Sequence, residues 1–168
     1  MGSLDFGPFL ALSTPARARL EAAGSAVQFA PGDPILREGE VADAAYVILS
    51  GKVRVQTSSQ LRTLATLSRP AVVGEMAVIT DEPRMADASA GSAVRALRLP
   101  AAALRAAIRE EPRFADLLRD FADLRVARNF LRRDSPFGDL PSDAISELAG
   151  VVTPVSFDAG AVIVREGE

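Results

Sequence analysis

Two short runs carry most of the chemistry open to this sequence, Gly74-Glu75-Met76-Ala77 and Arg84-Met85-Ala86. Glu75 offers the acceptor that a sugar hydroxyl needs. Arg84 offers a planar, permanently charged fork that fits two phosphate oxygens. Gly74 lets the backbone approach a ligand closely. Between the runs, Met76 to Ile79 reads as a short apolar helical turn, followed by a turn at Asp81-Glu82-Pro83. A helix N-terminus adds unpaired N–H groups and a partial positive charge, both suited to phosphate. The set suits a small, singly charged sugar phosphate that is held rather than transformed.

The composition points away from chemistry on such a ligand. The chain has no Cys, so neither thiolate catalysis nor a Cys-ligated zinc is available. It has no His, which removes the commonest general base and the commonest metal ligand together. Its carboxylates are scattered and present no metal-ligating cluster. A net charge of −3 is not that of an evident nucleic-acid binder. No enzyme, metal or cofactor is expected on this chain.

The elements that must position the two runs are short. Val27–Phe29, Pro34–Arg37, Ala45–Leu49, Val53–Gln56, Leu61–Leu67 and Ala71–Val73 have strand texture before them, and Met85–Ala90 and Ala93–Leu99 after them. Pro31-Gly32-Asp33, Glu38-Gly39-Glu40, Ser50-Gly51-Lys52 and Ser58-Ser59 punctuate the series. Short strands at this spacing predict a double-sheet jelly roll or a barrel. Residues 6–23 read as helical, with Pro15 in a first turn and Gly24 as the stop. Pro100 and Pro112 open two further helices, the second running to about Arg133. On it Phe114, Leu117, Leu118, Phe121, Leu124 and Leu131 form an apolar stripe. The stripe either packs on the roll or, through Phe121, Leu124 and Leu131, forms a dimer seam. The fold class is therefore mainly β with flanking helices.

The chain then begins to repeat itself. Phe137-Gly138-Asp139-Leu140 and the helical Pro141–Ala149 echo Phe6-Gly7-Pro8-Phe9 and the first helix, and residues 155–168 echo residues 27–40. Gly167 stands 128 residues after Gly39. The expected division is one unit over 1–133, with a β-roll at about 26–99 and C-terminal helices at about 100–133, then an incomplete second copy over 134–168. Such a chain is expected to be a piece of a longer tandem-domain protein. An edge contact or swap through the half repeat, or pairing through helix 112–133, would make a homodimer. No apolar run is long enough to span a membrane. The first residues lack a signal sequence and a myristoylation pattern, so a cytoplasmic location is expected.

Arg37-Glu38-Gly39-Glu40, Tyr46-Val47-Ile48-Leu49-Ser50-Gly51, Gly74-Glu75-Met76-Ala77 and Pro83-Arg84-Met85-Ala86, in that order, resemble the cyclic nucleotide-binding domain family over about Phe6 to Arg133. The resemblance implies a double-stranded β-helix jelly roll with an N-terminal helix and two C-terminal helices. It implies a regulatory module that transmits ligand occupancy through those helices. In the family, the glutamate matching Glu75 binds the ribose 2′-hydroxyl and the arginine matching Arg84 clamps the cyclic phosphate. Gly74 and backbone groups around Met76, Ala77 and Ala86 complete the cradle. The residue after the arginine helps to choose the base; Met85 lacks the hydroxyl that favours guanine, which implies cAMP over cGMP. Arg125, Arg128 and Asn129 are candidates to cap the base. Asp87 stands where the family usually has Ser or Thr, and alternation along a strand would turn it away from Ala86. The alternative is a vestigial, ligand-free domain of the same fold, used for dimerisation or docking in a transporter or other multidomain protein.

Overall fold

A computed structural model describes residues 2–56, 63–133, 136–137, 139–152, 155, 157 and 160–165. A 3-10 helix, Gly7–Ala11, leads into α1 (Thr14–Ala23). The roll follows as β1 (Ser25–Phe29), β2 (Pro34–Leu36), β3 (Ala44–Ser50), β4 (Lys52–Gln56), β5 (Thr63–Ser68) and β6 (Ala71–Val73). Helix α2 (Glu75–Thr80) interrupts it before β7 (Asp87–Ala90) and β8 (Val94–Pro100). Among the described residues three helices follow: α3 (Ala101–Glu110), α4 (Arg113–Arg133) and α5 (Ser142–Val151).

The strands form two four-stranded antiparallel sheets, ordered β1-β8-β3-β6 and β2-β7-β4-β5. This is the expected jelly roll with flanking helices. The first sheet is the middle layer. Alternate residues of β3, Ala44, Tyr46 and Ile48, face the second sheet, whereas Ala45 and Val47 face the helices. A strand buried on both faces carries almost continuous apolar residues, which is why β3 shows so little alternation in sequence.

Two cores result. Between the sheets, Ile35, Tyr46, Ile48, Val53, Leu67 and Val73 pack among many alanines, including Ala44, Ala88, Ala90 and Ala96. Beneath the helices, Phe9, Leu20, Val47, Leu99, Leu104, Phe114 and Leu118 pack together. An aromatic chain joins the first turn to α4: Phe6 meets Phe9 at 5.3 Å and Phe121 at 6.2 Å, and Phe9 meets Phe114 at 5.4 Å. Each buried phenylalanine contributes about 1.5–3 kcal/mol from removal of its surface from water.

This packing bears on the α4 stripe. Phe114 and Leu118 are buried in the same chain's core, Phe121 packs against it, and Leu131 is covered by Ile145 and Ala149 of α5. Leu117 and Leu124 stay exposed. Of the three seam positions, Leu124 alone is left on the surface, so the stripe serves the interior of its own chain first.

Local departures from the sequence expectation have physical causes. The helical stretch over 6–23 divides into two helices, each with a proline in its first turn. Strand β7 begins at Asp87 rather than Met85, because the Arg84 backbone bonds the preceding Glu38-Gly39-Glu40 turn: Arg84 N–H donates to the Glu40 carbonyl, and Gly39 N–H donates to that of Arg84. Pro100 ends β8, and α3 starts one residue later with Ala101 N–H bonded to the Asp43 carbonyl. Residues 61–62 and 58–59, assigned to a strand and a turn, lie outside the described residues. The described residues after Val151 that echo β1 and β2 are not in strands, and Val155, Phe157, Val162, Ile163 and Val164 are exposed.

Candidate ligand-binding site

Strand β6 ends at Gly74, whose φ of +83° turns the chain out of the sheet and into α2. A side chain is excluded there twice over. The positive φ disfavours any L residue, and a Cβ would lie 2.6 Å from Arg84 Nη1 and 2.9 Å from Leu36 Cδ1. The next residue, Glu75, is therefore delivered to the first turn of α2 and points inward.

Glu75 and Arg84, at 2% and 4% exposure, are the only buried charged residues among those described. Charged side chains are almost never so deeply placed without partners. Arg84 has several. Nη1 donates to the Gly74 carbonyl at 2.6 Å, Nη2 donates to the Ala44 carbonyl at 2.5 Å, and Nη2 lies 3.5 Å from Asp43 Oδ1. Burial pulls the guanidinium below its ordinary pKa, while Asp43, Tyr46, Glu40 and Glu75 oppose that pull. An arginine nonetheless keeps its charge.

Asp43 links this arginine to a second one. Its Oδ2 accepts from Arg98 at 2.7 Å, and that bond leads the causes that hold its carboxyl below the ordinary value; the Arg84 charge adds to it. The same bond raises the Arg98 pKa. Nothing in the run Val41-Ala42-Asp43-Ala44 distinguishes Asp43 in the sequence, because its role depends on contacts with Arg84, with Arg98 of β8 and with the start of α3.

A cavity of about 250 Å³ opens beside the pair. Leu36, Val55, Val73 and Ala88 form its apolar wall, and Gly74, Glu75, Met76, Ala77, Arg84, Met85 and Ala86 line the cassette side. Alanines at facing positions leave this space where larger residues would fill it. All seven cassette residues singled out in the sequence are thus brought together. Met85 is 65% exposed, so it sits at the mouth rather than in the interior. Asp87 points elsewhere: its Oδ1 accepts the Glu38 N–H at 2.8 Å. That bond fastens the Arg37–Glu40 turn to the segment carrying Arg84, a role beyond the turn geometry read from Gly39.

The α4 residues behave differently. The helix presents Ala122 and Asp123 to the cavity, which sequence reasoning missed because α4 is polar on most of its circumference. Arg128 lies in a separate groove with Thr66, Ser68, Pro70, Phe121 and Leu124. The side chains of Arg125 and Asn129 lie outside the described residues.

Comparisons with known proteins give this geometry a family. The family model described as the cyclic nucleotide-binding domain matches residues 26–111. The CRP-like cAMP-activated global transcriptional regulator of Mycobacterium tuberculosis is 31% identical over 131 residues, covering 73% of this chain and 56% of the regulator. A cAMP-dependent protein kinase regulatory subunit of Yarrowia lipolytica is 33% identical over 69 residues, covering 41% of this chain and 18% of that subunit. Among solved structures, the regulatory subunit of a cAMP-independent protein kinase A from Trypanosoma brucei superposes with a TM-score of 0.57 at 28% identity, over 67% of this chain and 43% of that one. The chain thus spans little more than half of the regulator and smaller parts of the other two proteins. With the two-sheet roll, the inserted α2 and the buried Glu75–Arg84 site already described, the match places this chain in the cyclic nucleotide-binding domain family.

Proposed function

We propose that this chain is a regulatory cyclic-nucleotide-binding module of a larger multidomain protein, taking cAMP in preference to cGMP. The observation that carries the proposal is the burial of Glu75 and Arg84 at one apolar cavity. An anion entering there meets a preorganised guanidinium with N–H groups beyond those given to Gly74 and Ala44. Glu75 accepts from the ribose 2′-hydroxyl, and the base extends along the apolar wall toward α4. Asp123 supplies an acceptor for an exocyclic amine at that end, and Arg128 would have to swing from its own groove to cap the base. Met85 brings no hydroxyl to a guanine, as cAMP preference requires. Nothing in this scheme breaks a bond, so the module senses and does not catalyse. Homologues named for cAMP activation and cAMP dependence support the ligand class. Occupancy would shift the population of α3–α4 arrangements.

A second reading has its own observation. The Arg84 charge is already met by two carbonyls and Asp43, so the fold has no need of a phosphate. Such a domain would serve as a ligand-free docking module, and the similar trypanosomal protein is named as the regulatory subunit of a cAMP-independent kinase.

Calorimetric titration separates the two. Saturable heat with cAMP, and weaker binding of cGMP, is the expected outcome; no heat with either nucleotide at millimolar concentration would refute the sensor. Arg84→Lys keeps the charge and loses the fork, so it should weaken cAMP by at least about 30-fold, the loss expected when a buried hydrogen-bonded charge contact is cut. Glu75→Gln should weaken it about tenfold, as for one charge-assisted hydrogen bond. Unchanged affinity in Arg84→Lys would show that the phosphate sits elsewhere.

A further inference from the structure

Arg105 belongs to neither motif and does not line the cavity, yet it is the α3 side chain that grips α2. Its Nε donates to the Val78 carbonyl at 3.1 Å, and Nη2 donates to Asp81 Oδ1 at 2.5 Å. The last carbonyls of a helix have no partner within it, and here α3 supplies one. Asp81 closes α2 at φ +60°, the only positive φ of a non-glycine residue among those described. Aspartate tolerates that conformation better than most residues.

Helix α2 has six residues. Its first turn places Glu75, Met76 and Ala77 at the cavity, and its last turn is held by Arg105. A segment so short, with no slack between its ends, moves as one piece. A shift of the first turn around a ligand therefore pulls on α3, and a shift of α3 moves the ligand groups.

We propose that Arg105 is a positioning residue for the cavity: by holding the last turn of α2 it sets where Glu75–Ala77 stand and ties ligand affinity to the seat of α3. This rests on the cavity taking a cyclic nucleotide. The coupling is reciprocal, because any contact that biases α3 toward its bound seat must raise nucleotide affinity by the same factor.

The test uses the full chain with Arg105→Gln, Asp81→Gly and the double variant. Asp81 is 81% exposed on its side chain, and glycine accepts its φ without strain, so Asp81→Gly leaves the core intact. Amide hydrogen exchange is read over residues 78–81 in ligand-free protein, and cAMP affinity by calorimetry. Arg105→Gln, which loses both bonds, is expected to exchange about tenfold faster there, and Asp81→Gly about threefold faster, because its ion pair is exposed and screened. The thermal midpoint of each should stay close to that of the parent. Arg105→Gln should bind cAMP about fivefold more weakly, the lower end of allosteric coupling, and Asp81→Gly about twofold more weakly. The double variant should be no weaker than Arg105→Gln, because that change already removes the Asp81 bond together with the Val78 bond. A general structural role would instead lower the midpoint and give additive losses, and that result overturns the proposal. So does unchanged exchange over 78–81 in both single variants, or faster exchange with unchanged cAMP affinity. If the parent chain gives no heat with cAMP, the ligand assignment is what fails; the exchange comparison still decides whether Arg105 holds α2.

Discussion

At the scale of single residues, the site depends on one position with no side chain. Gly74 turns β6 into α2 at positive φ and leaves room for the Arg84 guanidinium against its own carbonyl. Gly74→Ala should cost about 1–2 kcal/mol from backbone conformation alone, measured by urea denaturation. The Cβ would also push Arg84 aside, so the loss in cAMP affinity should exceed the loss in stability. An alanine variant as stable as the parent would mean that the backbone here adapts. Glu75, Arg84 and Gly74 were legible in the sequence because an acceptor, a guanidinium and a close-approach glycine at this spacing suit a sugar phosphate and match the family's motif. Asp43 was not, since an aspartate before a strand has many uses and only the fold shows which arginines it meets.

At the scale of elements, Asp43 is the point where β3, β8 and α3 converge. Its carbonyl accepts the Ala101 N–H, and its carboxylate holds Arg98 and reaches Arg84. The folded-state pKa of Asp43 lies below its ordinary value, mainly through the Arg98 bond. Its contribution to stability is therefore fully present above the unfolded-state pKa of about 3.9 and is lost as pH falls through the lower folded-state value. Thermal midpoints of the parent and Asp43→Asn should differ at neutral pH and converge below pH 3.9. The gap should be modest, because the carboxylate is largely exposed and screened. A gap that widens on acidification would reverse the assignment. Strands and helices were mostly legible to within a residue or two, since alternation and the proline positions marked them. The start of β7 was not, because Arg84 gives its backbone bonds to the turn at residues 38–40 instead of a ladder.

At the scale of the whole molecule, the layer order could not be read from the strand pattern alone. Two packed sheets and a sheet with helices on its back both require apolar alternation, and the short strands β3 and β6 alone, apolar on both faces, carry a weak mark of both. The seat of α4 was equally hidden: its stripe fits a roll or a second chain, and the aromatic chain from Phe6 decides how much of it is covered. That chain has a practical consequence for handling the protein. The family match begins at residue 26, after Leu4, Phe9, Leu12, Ala16 and Leu20 have already entered the core. A chain trimmed to residues 26–168 would retain every cavity-lining residue and the α5 cover on Leu131, but would uncover Phe114, Leu118 and Phe121. It should bind a hydrophobic dye and elute as aggregates on gel filtration, whereas the chain with its first turn intact should do neither. A sharp monomer peak from the trimmed fragment would show that the first turn is dispensable. Until then, the opening residues are best treated as an internal solubility tag, supplied by the chain for its own last long helix.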